Sequence, residues 1–108
     1  MAWFASELDK LQNEKKNVII LFHVPPGQYF PGEPQTFWQE QYTQQYRDII
    51  KKNREKVLLT TGAHIHFMDM RYEDDEEGNP FYYLLLAPSF SPEFGNNPGF
   101  TTLKVDDQ

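Results

Sequence analysis

Cysteine is absent from the 108 residues, which excludes disulfides, thiolate metal sites and cysteine nucleophiles and fits a reducing compartment. Basic charge is also scarce. Ten Lys plus Arg against 16 Asp plus Glu give a formal net charge of −6. That argues against binding nucleic acid through its phosphates, because the backbone contribution needs clustered cations. The densest basic stretch, Lys51, Lys52, Arg54 and Lys56, is interleaved with Asp48 and Glu55. Long apolar runs are missing too: the longest, at 18–22 and 81–87, fall well short of the roughly 20 residues that span a bilayer, so no transmembrane segment is expected. No basic stretch followed by an apolar one opens the chain, so no signal peptide is expected. Glycine numbers only six while aromatics reach 16%, which argues for a packed chain rather than a disordered one.

What is present reads as one domain of mixed α/β class over residues 1–108, with a thin core, since folding at this size hides only about two-thirds of the unfolded surface. Trp3, Phe4, Leu8 and Leu11 recur at helical spacing and predict a helix over 2–16. The apolar run 18–22 follows, bounded by a Pro-Pro-Gly turn, and predicts a strand buried on both faces. Pro25, Pro26, Gly27, Pro31, Gly32 and Pro34 then hold a rigid loop. An aromatic stripe of Phe37, Trp38, Tyr42 and Tyr46 predicts a core-packed helix over 35–53 with Thr36 as N-cap. Residues 56–61 read as a second buried strand. The segment 64–72 reads as extended chain with His64, His66, Met68 and Met70 on one face. An acidic hairpin turn at 73–80, a strand at 81–87 and a final strand at 100–105 complete the order, for two helices and about five strands.

The three histidines fall where α/β sheets build sites. His23 ends the first strand, and His64 and His66 follow the second just past Gly62; ligand sites form beyond the carboxyl ends of such strands. Imidazoles separated by one residue share a side of an extended chain and can approach a pair of ions roughly 3.5–4 Å apart. The same spacing also suits ordinary, partly buried histidines bonded to carbonyls.

The surrounding residues sharpen the choice. His23-Val24-Pro25-Pro26-Gly27, then Gly62-Ala63-His64-Ile65-His66 with Asp69 three residues on, then Pro88-Ser89 and Asn97-Pro98-Gly99-Phe100 resemble, in order and over nearly the whole chain, the calcineurin-like metallophosphoesterases. Within them the similarity is greatest to the acid sphingomyelinase-like phosphodiesterase branch. The resemblance implies the C-terminal portion of a four-layer α-β-β-α sandwich. It implies His23 and His64 as ligands of one divalent ion (Zn, Fe or Mn) and His66 as ligand of a second. It also implies Asp69 as a group orienting an imidazole, where an Asp69–Arg71 ion pair is the plainer reading, and a pocket rim of Pro25, Pro26, Gly27, Tyr29 and Phe30. Phe22 and Ala63 stand where the family carries glycine; Ala63 is a mild change, and the bulkier Phe22 implies a narrowed or reshaped pocket.

The family's remaining ligands, on Asp-x-His, Gly-Asp and Gly-Asn-His segments, have no counterpart in the sequence. Three neutral imidazoles cannot hold two cations side by side without an anionic bridge. The expected partner is therefore the missing N-terminal half of the same domain. The chain alone is expected to be metal-free or weakly loaded and catalytically silent, with self-association through exposed strand edges. The expected activity of the complete protein is metal-assisted hydrolysis of a phosphate ester. The alternative is a non-catalytic binding or structural module that keeps the fold without the site.

Overall fold

In a computed structural model, which describes residues 1–30 and 32–106, two α-helices alternate with two strands and then give way to a two-stranded hairpin. Helix α1 (Ala2–Lys10) ends earlier than its periodicity suggested. A 3-10 turn at Leu11–Asn13 replaces its last turn. Only Phe4 and Leu8 of its stripe pack inward; Trp3 stays exposed. Strand β1 (Val18–Leu21) leads into the long loop that holds Pro25, Pro26, Gly32 and Pro34; Pro31 lies outside the described residues.

Helix α2 (Glu40–Lys52) begins about five residues later than its aromatic stripe predicted. Thr36 donates its hydroxyl to the Trp38 carbonyl at 2.8 Å instead of capping the helix. Residues 28 and 36 form an isolated antiparallel bridge. The segment preceding the helix is thus committed to a local turn, and Phe37 and Trp38 reach the core from the loop. The Trp38 indole N–H fixes that arrangement by donating to the Val24 carbonyl at 3.0 Å.

Strands β2 (Val57–Gly62), β3 (Asp69–Asp74) and β4 (Pro80–Leu86) complete one sheet in the order β1-β2-β4-β3. The β1–β2 and β2–β4 pairs are parallel and β3–β4 is antiparallel. A helical crossover is needed to return a parallel neighbour, and α2 supplies it between β1 and β2. The acidic turn is a hairpin: Asp75 accepts from the backbone N–H groups of Glu77 and Asn79 at 3.0 and 2.9 Å, while its other oxygen meets Arg54 at 3.0 Å. Those bonds hold its carboxyl below the ordinary value.

Register assigns the two faces. Tyr82, Leu84 and Leu86 lie with Thr60 and Gly62 beneath α2, where Tyr46, Ile50 and Ile65 close the core. Phe22 belongs to this face. Its ring makes edge contacts with Trp38 and Tyr46 at 6.0 and 6.1 Å. It also lies over Gly62, where a Cβ would stand 2.8 Å from the ring. The phenylalanine therefore fills core space rather than narrowing a pocket, and only glycine fits below it.

The opposite face carries Ile19, Leu21, Leu59, Thr61, Tyr83, Leu85, Met70 and Tyr72 in register, with Leu21 75% and Met70 70% exposed. The first strand is accordingly an edge strand covered on one side, not buried on both. Residues 100–105 carry no strand, so the sheet has four strands where about five were expected. No described helix is long and apolar enough to cross a membrane.

Candidate functional site

The carboxyl ends of the parallel strands β1 and β2 deliver His23 and His64 to the same place. Parallel pairing continues one residue past each strand, with Phe22 N–H donating to Thr61 O at 3.1 Å and Ala63 N–H to His23 O at 3.0 Å. The two rings meet edge-on with centroids 5.2 Å apart, and His23 Nε2 lies 3.3 Å from His64 Nδ1. Two nitrogens that ligate one tetrahedral ion at about 2.05 Å stand about 3.3 Å apart. The pair therefore fits two ligands of a single ion, and in the ion's absence one ring can donate to the other.

The segment between β2 and β3 is not extended. His64 and His66 both adopt left-handed backbone, with φ of 73° and 63°, and Ile65 between them is buried in the core at 2% exposure. Driving Ile65 inward sends the flanking imidazoles to different neighbours. His64 packs on Phe37 at 5.4 Å; His66 packs on Phe94 at 5.2 Å and keeps a buried Nδ1 with no hydrogen-bond partner among the described residues. The expected shared face of His64, His66, Met68 and Met70 does not form, and among the described residues no three metal-ligating side chains come together. Phe94 is itself left-handed, with φ of 62°, so every non-glycine residue of that conformation among the described residues lies in this corner. Each such residue costs on the order of 1 kcal/mol.

Asp69 touches no imidazole. Its carboxylate accepts from Arg71 Nε at 2.8 Å, the plainer of the two expectations. Of the loop residues, Pro25 and Pro26 are buried scaffold, and Gly27 turns the chain with φ of 85°. Tyr29 meets Phe30 edge-on at 4.7 Å and Phe37 at a tilt at 5.0 Å, and Phe30 lies parallel to Phe67 at 5.7 Å. An aromatic wall thus runs from the loop to His64. Phe37 and Phe94, the rings against His64 and His66, were not singled out as site residues by sequence, because Phe37 fits a helical stripe and Phe94 stands alone in a Pro- and Asn-rich loop.

A separate recess of about 540 Å³ lies on the helix side between the loop, α2 and β3, lined among others by Gly27, Thr43, Arg47, Asp69, Arg71 and Glu73. Four of its charged residues pair within it: Arg47 meets Glu73 at 2.5 Å and Arg71 meets Asp69.

No family model matches the chain. In sequence it is similar to the human cyclic GMP-AMP phosphodiesterase SMPDL3A, 30% identical over 96% of this chain. It is similar to mouse acid sphingomyelinase-like phosphodiesterase 3b, 23% identical over 96%, and to human sphingomyelin phosphodiesterase, 24% identical over 98%. The chain spans about a quarter of the length of the first two, 24% and 25%, and 16% of the third.

Proposed function

The homologues of this chain are acid sphingomyelinase-like phosphodiesterases, and on that footing we propose that it is the C-terminal portion of a binuclear-metal phosphodiesterase domain. In this reading His23 and His64 hold one divalent ion and His66 serves the second. The observation that carries it is the 3.3 Å approach of His23 Nε2 to His64 Nδ1 at the carboxyl ends of adjacent parallel strands, the spacing of two ligands on one ion. Divalent ions at such a site supply a water-derived nucleophile and stabilise charge on phosphoryl oxygens.

The chain's own residues then do three things. The imidazoles offer nitrogen donors. The Tyr29–Phe37 wall supports His64 and limits solvent on that side. The loop from Gly27 to Phe30 forms the rim against which an ester group lies. A bridging carboxylate and an acid for the leaving group come, in this reading, from the upstream half of the domain, so the chain alone turns nothing over. The open apolar face of the sheet supports the same view, because the upstream half of a layered sandwich is what would lie on it; left uncovered, that face and the sheet edges promote self-association.

A second reading, a binding module that has lost catalysis, is favoured by the placement of His66 on Phe94 rather than beside the other two histidines. One experiment separates the two. Metal content and hydrolysis of a chromogenic phosphodiester are measured on this chain and on a chain extended upstream through the Asp-x-His, Gly-Asp and Gly-Asn-His segments. About two metals and turnover in the extended protein only, lost on His23→Ala and His64→Ala, is the expected result. An extended protein that folds, binds no metal and hydrolyses nothing makes the chain a binding module.

A further inference from the structure

We propose that Arg71, oriented by Asp69, is a positioning residue that clamps the rim loop and through it sets His64. The inference deepens the phosphodiesterase reading and rests on it for the meaning of the site, but its geometry belongs to this chain alone. All three guanidinium nitrogens of Arg71 are engaged. Nε donates to Asp69 Oδ2 at 2.8 Å, Nη1 to Gln28 O at 2.5 Å and Nη2 to Tyr29 O at 3.0 Å. The side chain is only 19% exposed. Two of its three partners are consecutive backbone carbonyls some forty residues away in sequence, in a loop whose described residues form no helix or strand.

That loop is a closed arc. Tyr29 N–H donates to Gln35 O at 3.0 Å and Phe37 N–H to Gly27 O at 2.9 Å, so its inner hydrogen bonds are satisfied within itself. The two outward carbonyls, those of Gln28 and Tyr29, are what fasten it to β3. From Tyr29 the contact continues ring to ring, to Phe37 at 5.0 Å and from Phe37 to His64 at 5.4 Å. His64 holds left-handed backbone, a conformation that persists only where its surroundings enforce it. Asp69 stands two residues before Arg71 on the same side of β3 and fixes the plane of the guanidinium. A lysine cannot replace this fork, since its ammonium is a point donor that cannot span two carbonyls and a carboxylate in one plane.

The test uses this 108-residue chain and needs neither metal nor turnover. Amide hydrogen exchange is followed at Tyr29 and Phe37, the arc's own donors, and at Thr60 and Thr61 in the central strand, with the His64 imidazole resonances recorded alongside. Arg71→Lys is expected to speed exchange at Tyr29 and Phe37 by about tenfold or more, the loss of a charge-assisted bond to a carbonyl. It is also expected to move the His64 ring signals while Thr60 and Thr61 keep their protection. Asp69→Asn should act in the same direction more weakly. Arg47→Lys, whose partner Glu73 lies on the same sheet but off the loop, should move none of these signals. Unchanged Tyr29 and Phe37 exchange in both Arg71→Lys and Asp69→Asn overturns the proposal, as does an equal loss of protection at Thr60. If Arg71→Lys fails to fold, Asp69→Asn decides by the same criteria. A clamp that passes while the extended protein stays inactive leaves the positioning role standing and sinks the phosphodiesterase reading; the reverse pattern does the opposite.

Discussion

The two faces of the sheet are built from similar residues and meet different fates. Beneath α2, Leu84 and Leu86 are 1% and 0% exposed; on the other side Leu21 and Tyr72 are 75% and 63% exposed. Composition does not separate them, since Ile19, Leu59, Leu85 and Met70 are as apolar as Ile20, Leu84 and Leu86. Topology does. The β1–α2–β2 crossover must place its helix on one side of the sheet, and α1 joins that side by laying Phe4 on Tyr46 at 5.7 Å. The later connection adds β3 as a hairpin and brings no helix, so no helix among the described residues covers the second face. Parallel strands that read as apolar on both sides need two covers, and this chain carries one.

The comparison breaks most visibly at Leu86. It is fully buried between Gly62 and the α2 side chains, and its truncation leaves a cavity where nothing can close in. Leu86→Ala should cost about 3–4 kcal/mol, in the upper part of the leucine-to-alanine range for cores, read as a fall in the urea midpoint with the slope unchanged. If the loss were under about 1 kcal/mol, in the range of ordinary surface substitutions, the covered face would not be the core of this fold.

The faces also explain how much of the molecule was legible in the sequence. The element order, the loop between His23 and α2, the hairpin and the mixed class follow from periodicity and punctuation, because those signals are local. The missed features are those where tertiary packing overrides local preference. A run of Val18-Ile19-Ile20-Leu21-Phe22 carries no mark distinguishing an edge strand from a central one. Phe37 and Trp38 satisfy helical spacing, yet the Gln28–Thr36 bridge and the Trp38–Val24 hydrogen bond pull them into the loop. The residues at 100–105 alternate like a strand and find no neighbour to pair with.

At the site, the approach of His23 to His64 was implied by two strand ends facing one edge, whereas the parting of His64 from His66 was not. That parting depends on Ile65 being worth more inside the core than an extended backbone is worth to its neighbours. The Asp69–Arg71 pair was visible at its spacing, but the loop carbonyls it reaches lie far away in sequence.

A smaller effect sharpens the covered face alone. Burial pushes the Tyr82 hydroxyl up to about 12, and burial followed by the neighbouring Tyr82 pushes Tyr46 above the usual phenol range. Folded values raised above the unfolded ones mean that the native state keeps protons which the unfolded state gives up. The associated stability is fully present below about pH 10, the ordinary phenol value, and is lost as pH rises from there through 12. Urea midpoints measured between pH 8 and 12 should therefore hold level and then fall. Tyr82→Phe should flatten part of that fall while leaving the neutral-pH behaviour of the histidine corner as it was. An unaltered slope in the variant would mean that the phenol is not desolvated under α2.

The smallest effect on stability is expected on the open face, and its smallness is what gives it meaning. Leu21→Gln with Met70→Gln replaces two of the most exposed apolar side chains on β1 and β3. Neither packs in the core cluster, so the urea midpoint should move by no more than about 0.5 kcal/mol equivalent. The association behaviour should change instead, because an uncovered apolar sheet face is a surface other proteins or copies of itself will seek. Apolar-dye binding should fall, and sedimentation equilibrium of the double variant should lose any concentration dependence shown by the parent chain. If the two substitutions destabilised the chain as Leu86→Ala does, the second face would already be packed from within, and no outside layer would be needed. If stability holds and association falls, the same pair placed in the upstream-extended protein becomes the sharper instrument. There the glutamines would lie buried beneath the added layer without partners, and a substitution neutral in this chain should become strongly destabilising, by about 1–3 kcal/mol for each unsatisfied amide.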